Sequence, residues 1–512
     1  MKNSTAVQIF LSRIEKWGNA LPHPTTLFVY LALAVILFSW LGHMLGVSAT
    51  HPLSGKEVVV VNLLSASGVQ QILSKMVSNF TGFAPVGPVL VVMLGLGIAE
   101  RSGLIHTCLR LVVLKAGKNS LTFIVVLTGV LSSIAVDSGY VVMIPMAGLI
   151  FLSAGRHPLA GIAACFAGVS GGFSANLLVG PVDAILGGIS TEAAHLVRPD
   201  YEVTATANYY FIIASTFLIT ILATWVTERY IVPLLGEYHP SDADTELLTN
   251  SFGISSEELR GLKWTLLVGG GFLLAVGLGV IPENGFLRHP ETGGVIKSPF
   301  MSGLIALVAL FAGISGLAFG WASGHFKTNH EVVASMEETM STMATYIVLM
   351  FFAAQFVSYF SWTNMGLISA IKGAGVLKAT GLGAVPLMIC FVVFCGLANL
   401  LIGSASAKWA IMAPVFVPMF MLLDIAPEAV QAAYRVGDSS TNILTPLMPY
   451  FALVYAFMQR YDKQVGMGTI ITLMLPYSLV FLIGWGLMLG IWLTTGAPLG
   501  PDGQLFMNLN NR

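Results

Sequence analysis

Five charged side chains stand within otherwise apolar sequence: Asp137, Asp183, Lys408, Arg435 and Asp438. A charge at the centre of a bilayer costs at least about 2.5–3.5 kcal/mol on insertion scales, so each needs a partner or a task. Arg435 and Asp438 are three residues apart and share one face of a helix. Either they neutralise each other, or they divide the work. In the second case the planar donor fork of Arg435 holds a carboxylate bidentately and Asp438 titrates as ligand and proton exchange. Asp183 follows a broken helix and is a second proton carrier, or a cap. Asp137 carries a proton or an ion, or it snorkels or makes a structural hydrogen bond. Trp409 offers a ring for an aromatic ligand, against the commoner role of a tryptophan in packing or at the interface.

Two polar segments, GVSGGFSAN (168–176) and VGDSSTN (436–442), interrupt hydrophobic helices. Broken helices expose carbonyls and helix termini that coordinate Na⁺ or receive an anion. Asn176 and Asn442 are therefore candidates for a Na⁺ site, with interhelical hydrogen bonding as the alternative. Ser404 and Ser440 are further candidate ion or ligand contacts.

The elements that carry these residues are membrane helices. Of 512 residues, 55% are hydrophobic and 10% charged, where a soluble domain carries about 25% charged. Segments 24–47, 120–136, 138–154, 208–227, 264–281, 300–324, 332–358, 383–403 and 468–495 meet or approach the roughly 20 apolar residues that a span needs. The expected fold is an all-α polytopic membrane protein of about nine spans. Residues 77–103, broken by Gly82, Pro85, Gly87 and Pro88, predict a re-entrant hairpin, and 363–381 predict its counterpart. Non-helical backbone at membrane depth survives only when buried in protein or facing water, so paired hairpins imply a central cavity.

The net charge of −1 and the absence of a Lys/Arg run argue against nucleic acid. Cys108, Cys165, Cys390 and Cys395 are scattered through apolar sequence and read as packing residues. Residues 1–23 form an amphipathic interfacial segment whose Arg13 and Lys16 place it in the cytoplasm. The acidic stretch 236–261 reads as a cytoplasmic linker between a first repeat, 24–235, and a second, 300–496. Residues 262–299 supply a linking span and an outer loop, and 497–512 a tail.

Laying Pro145 on Pro414 puts Asp137 opposite Ser406 and Tyr140 opposite Trp409. Further on, Ser174 and Asn176 face Ser440 and Asn442. The halves enter the membrane in opposite senses, and inverted repeats with a midplane site are the architecture of many secondary transporters.

The motifs NFTGFAPVG, AGVSGGFSANL, LRHPETG, FFAAQFV followed by WTNMG, IGSASAKWA and AAYRVGDSSTNILTP together resemble the AbgT (p-aminobenzoyl-glutamate transporter) family over nearly the whole chain. The resemblance implies a homodimer in the lipid of the bacterial inner membrane, each protomer with nine spans and two re-entrant hairpins around an inward-facing bowl. It implies import of p-aminobenzoyl-glutamate by some members and proton-driven export of sulfonamide antimetabolites by others. The substrate is thus a small anionic aromatic molecule, and the coupling ion is H⁺, with Na⁺ as the alternative and no other cofactor. The family's functional positions fall on Asp183, Ser406, Trp409, Pro427, Arg435, Asp438 and Pro446. Lys408 departs from the family, which places a neutral residue there; it binds a second carboxylate, pairs with an acid, or snorkels.

Three rivals stand beside this reading. One is an ion-coupled importer of another organic carboxylate. An intramembrane protease is suggested by GISG (313–316), GVSG (168–171) and the pair VDSG and RVGD, but no histidine lies inside a nearby span, and Val136 and Arg435 replace the Tyr and Gly usual in aspartyl enzymes. A channel would line a similar polar path, although repeated broken helices with titratable groups favour alternating access. ATP coupling has no GxxxxGK[ST] to support it.

Overall fold

The computed structural model describes residues 22–50, 52, 55–114, 117, 120–134, 139–239, 253–295, 298–448 and 450–507. Asp137, nearly all of the N-terminal interfacial segment and the middle of the linker at 240–252 lie outside the described residues. The regular strands among those described form one small ribbon, β1 (Ser48–Thr50) antiparallel to β2 (Glu57–Val59) with Ser48 opposite Val59. It occupies the polar loop after the first span. The rest of the regular structure is helical.

Among the described residues, seven helical units are long and apolar enough to cross a membrane: Pro24–Met44, Ala66–Arg101, Tyr209–Leu235, Ser256–Val280, Leu304–Ser323, Ala344–Trp362 and Met467–Thr495. Met365–Ala379 and Ala384–Asn399, bent by 118°, make an eighth when counted as one broken span. Much of this apolar surface has no protein cover. Only 11% of the Ser256–Val280 window is buried, and Leu266, Leu267 and Leu274 stand 64–75% exposed. An apolar face of that extent is stable only against lipid, and the chain is a multi-pass membrane protein.

Three expectations are refined. Among the described residues, segments 120–136 and 138–154 hold Leu121–Ile134 and Gly139–Ser153, each shorter than the roughly 20 residues that a span needs. Residues 77–103 are not a hairpin: a helix runs from Ala66 to Thr81 and resumes from Val86 to Arg101, the two forming one crossing-length unit. Ser65 caps its start by accepting from the Gly68 amide. Pro88 is tolerated because it lies in the first turn of the second piece, where an N–H is unpaired in any case. Residues 363–381 hold one helix, Met365–Ala379, and the sharp bend follows it at 380–383, so that this helix and Ala384–Asn399 form either a broken span or a re-entrant hairpin.

The site is built from seven shorter helices: α1 (Leu121–Leu131), α2 (Ile144–Ser153), α3 (Pro158–Phe166), α4 (Pro181–Ala194), α5 (Ala384–Asn399), α6 (Ala405–Met421) and α7 (Pro427–Asn442). Wide π turns, Gly139–Met143 and Ala167–Gly171, lead into α2 and extend α3. Such turns mark places where a helix yields its regular bonding.

Two glycine contacts repeat at related positions. A Cβ on Gly168 would lie 2.6 Å from the Val126 carbonyl oxygen, and one on Gly437 2.2 Å from that of Val392. Only glycine lets the π turn after α3 meet α1, and α7 meet α5, at that distance.

Candidate functional site

Helix α7 reads PEAVQAAYRVGDSSTN, and all sixteen residues are buried. Pro427 sits in its first turn, where the missing N–H costs nothing. A helix this polar cannot face lipid, so its side chains must be satisfied by protein. Gln431 Oε1 accepts from Ser190 of α4 at 2.8 Å, and Ser439 Oγ accepts from the Ser174 amide at 3.2 Å. Thr441 donates to the Gly396 carbonyl at 3.0 Å.

Arg435 and Asp438 do not neutralise each other. Arg435 donates through Nη2 to Asp183 Oδ1 at 2.7 Å, while Asp438 forms an ion pair with Lys408. Four charges thus form two pairs: one joins α7 to α4, the other α7 to α6. All four side chains are at most 8% exposed. Removing one member of such a buried pair typically costs about 3–5 kcal/mol, because the other charge is left without compensation.

Asp183 is the cap considered for it and also holds a cation. Its Oδ2 accepts from the Gly180 amide at 2.7 Å, closing the first turn of α4, while Oδ1 meets Arg435. The Arg435 Nε is buried with no hydrogen-bond partner. Beside this pair lies a small cleft of about 20 Å³, lined by Ser133, Ser174, Asn176, Asp183 and Arg435 among others. Asn176 donates to Ser133 Oγ at 3.0 Å, and its Oδ1 accepts from the Leu177 amide at 2.7 Å.

The second pair lies where α5 ends and α6 begins. Lys408 Nζ contacts Asp438 Oδ1, Asn399 Oδ1 and, at 3.4 Å, the Ile402 carbonyl oxygen. The amide nitrogen of Asn399 reaches the Asp438 carbonyl at 2.8 Å and Asn442 Oδ1 at 2.8 Å. The Tyr434 hydroxyl lies 2.6 Å from the Ala405 carbonyl oxygen and 3.3 Å from Asp438 Oδ1. Asp438 Oδ2 is buried and has no hydrogen-bond partner. Of the fates open to Lys408, pairing with an acid is the one the structure displays.

Trp409 is fully buried. It stacks on Tyr434 with centroids 4.4 Å apart and donates Nε1 to Ser190 Oγ at 3.0 Å. In this state the ring packs α6 against α4 and α7 and presents no free face to a ligand. Ser404 caps α6 by accepting from the Ala407 amide at 3.3 Å, with Ser406 Oγ 3.4 Å from its own hydroxyl. Ser440 turns back to the Val436 carbonyl at 2.6 Å. Pro446 is half-buried in the turn that ends α7.

Sequence reasoning missed Asn399, Ser190 and Gln431, together with Glu428, whose carboxylate accepts from the Tyr201 hydroxyl at 3.0 Å. Asn399 carried a signal, as a lone amide closing the apolar run FVVFCGLAN.

The profile of the AbgT putative transporter family matches residues 9–507. The p-aminobenzoyl-glutamate transport protein of Escherichia coli (strain K12) is 39% identical over 488 residues, 95% of each chain. Among solved structures, the YdaH transporter of Alcanivorax borkumensis is 53% identical, with a TM-score of 0.90 over 94% of this chain and 100% of that one. MtrF of Neisseria gonorrhoeae, described as illuminating a class of antimetabolite efflux pumps, is 46% identical, with a TM-score of 0.91 over 96% and 100%.

Proposed function

Because the chain belongs to the AbgT family, we propose that it moves p-aminobenzoyl-glutamate, or a closely related aromatic carboxylate, across the bacterial inner membrane by proton-coupled alternating access. The family is one of transporters, which sets aside the protease reading. The observation that carries the proposal is the Asp183–Arg435 pair beside a polar cleft.

A ligand carboxylate that takes Arg435 Nη2 competes with Asp183 for it. Protonation of Asp183 removes that competition, so ligand and proton occupancy are linked at one guanidinium. The glutamyl carboxylates of the substrate supply the displacing anion. At about 20 Å³ the cleft has room for little more than a water molecule, which fits a state closed around the pair. Opening is then a movement of α7, and of the helices packed on it, relative to α4. In this scheme the two halves, 24–235 and 300–496, are oppositely oriented repeats that rock about the site, and the working unit is a homodimer.

A second reading, export of sulfonamide antimetabolites in exchange for protons, is favoured by the likeness to MtrF. Purified protein in liposomes distinguishes these. With an imposed pH gradient, labelled p-aminobenzoyl-glutamate accumulates against its own gradient, and the same assay with a labelled sulfonamide gives its direction. Flux that only ever runs downhill, whatever gradient is imposed, would make the protein a channel and overturn the proposal.

A further inference from the structure

The ammonium of Lys408 sits where a free cation would be expected. It is fully buried, and its three N–H donors face three oxygens: the Asp438 carboxylate, the Asn399 side-chain carbonyl and the Ile402 backbone carbonyl. Ile402 belongs to the break between α5 and α6 at 400–404 and Asn399 is the last residue of α5 beside it; unwound carbonyls such as that of Ile402 are the usual ligands of coupling cations at such breaks. The set contains a single carboxylate and otherwise neutral oxygens, which suits one positive charge and not two.

A second observation is independent of the lysine. Asp438 Oδ2 is buried without a hydrogen-bond partner, so the cage holds an unused anionic ligand that a structural ion pair alone does not require. The amide nitrogen of Asn399 is fixed by the Asp438 carbonyl, Thr441 Oγ1 and Asn442 Oδ1. That arrangement turns Asn399 Oδ1 toward the ammonium and sets the polarity of the cage.

We propose that this is a monovalent-cation site filled by the chain's own lysine: a tethered ammonium takes the place of a free Na⁺ and excludes it. The charged and titratable groups facing Lys408 are Asp438 and Tyr434 on α7 and Cys395 on α5. Arg435, also on α7, is engaged with Asp183 and leaves the cage to the lysine. The consequence for coupling rests on the transport reading above: if this cage cannot admit Na⁺, the drive falls to the proton. The binding statement itself stands apart from transport.

The test uses purified full-length protein and Na⁺ itself as the probe. Thermal unfolding and the fluorescence of the neighbouring Trp409 are followed against NaCl, with choline chloride holding ionic strength constant. Wild type is expected to show no Na⁺-specific shift. Lys408→Ala and Lys408→Gln are expected to gain a saturable shift that grows with Na⁺ and not choline, and Asp438→Asn in the Lys408→Ala background removes it. A saturable Na⁺ response in wild type that Asp438→Asn abolishes would overturn the inference, as would folded Lys408 variants indifferent to Na⁺. Should the variants fail to fold in choline, recovery of monodisperse protein in Na⁺ supports the proposal and no recovery in either salt counts against it. A wild type that transports nothing in liposomes would defeat the transport reading and leave this binding result intact.

Discussion

The indole N–H of Trp409 and the hydroxyl oxygen of Ser190 are 3.0 Å apart although 219 positions separate them in sequence. The same hydroxyl donates to Gln431 Oε1 at 2.8 Å. One small side chain on α4 therefore ties down α6 and α7 together.

Ser190→Ala is expected to lower stability by about 1–3 kcal/mol, the usual cost of leaving buried polar groups without a partner. Here the Gln431 carbonyl oxygen loses its donor, and Trp409 keeps only the Leu186 carbonyl at 3.3 Å. Denaturation in detergent, read together with the tryptophan emission maximum, checks this. An unchanged midpoint would mean that water substitutes freely at the site.

The two ion pairs predict a particular pattern of coupling. Double-mutant cycles on thermal stability should give interaction energies of about 0.5–3 kcal/mol for Asp183 with Arg435 and for Asp438 with Lys408. The pair Arg435 and Asp438 should couple less, despite sharing a helix. Strong coupling between those two alone would restore the simple neutralisation read from their spacing.

Asp183→Asn removes the carboxylate partner of Arg435 and retains an oxygen for the Gly180 amide. Binding of p-aminobenzoyl-glutamate should survive in the variant and become insensitive to pH across the range where wild type responds. Accumulation driven by a pH gradient should fall at least tenfold. Equilibrium binding and liposome flux measured on the same preparation separate these effects, and intact gradient-driven uptake would remove Asp183 from coupling.

Gly437→Ala and Gly168→Ala should each destabilise by about 1–3 kcal/mol, the typical range for overpacking, because their new methyl groups meet backbone carbonyls. Gly375→Ala is the control. It sits inside a helix with nothing within 4 Å of the added carbon, so the change should be neutral or should stabilise by up to about 1 kcal/mol. Thermal midpoints of the three variants decide the matter.

The sequence announced the charges, the breaks around them and the motif order of the two halves, because each leaves a local mark in an apolar background. Partners were harder to read. Spacing makes Arg435 and Asp438 neighbours on one helix, but it says nothing of which foreign helix each side chain reaches, and Asp183 lies 252 positions from Arg435. The hairpin at 77–103 was misplaced for a related reason. Its glycines and prolines resemble a tip, yet Pro88 falls in a first turn where helix geometry accepts it. The short helices α1 and α2 are apolar enough to pass for spans; what distinguishes them, among the described residues, is length. Asp137 lies outside the described residues, and its role stays with the sequence argument.

The polar character of α7 has a consequence for biogenesis. A segment carrying Glu428, Arg435 and Asp438 is a poor substrate for partitioning out of the translocation channel by its own affinity for lipid. During synthesis, Asp183 is made long before Arg435 and must wait without its countercharge. The nascent N-terminal half is therefore expected to linger beside the insertion machinery, and burial of the last polar helix becomes the step that releases the finished protein into the bilayer.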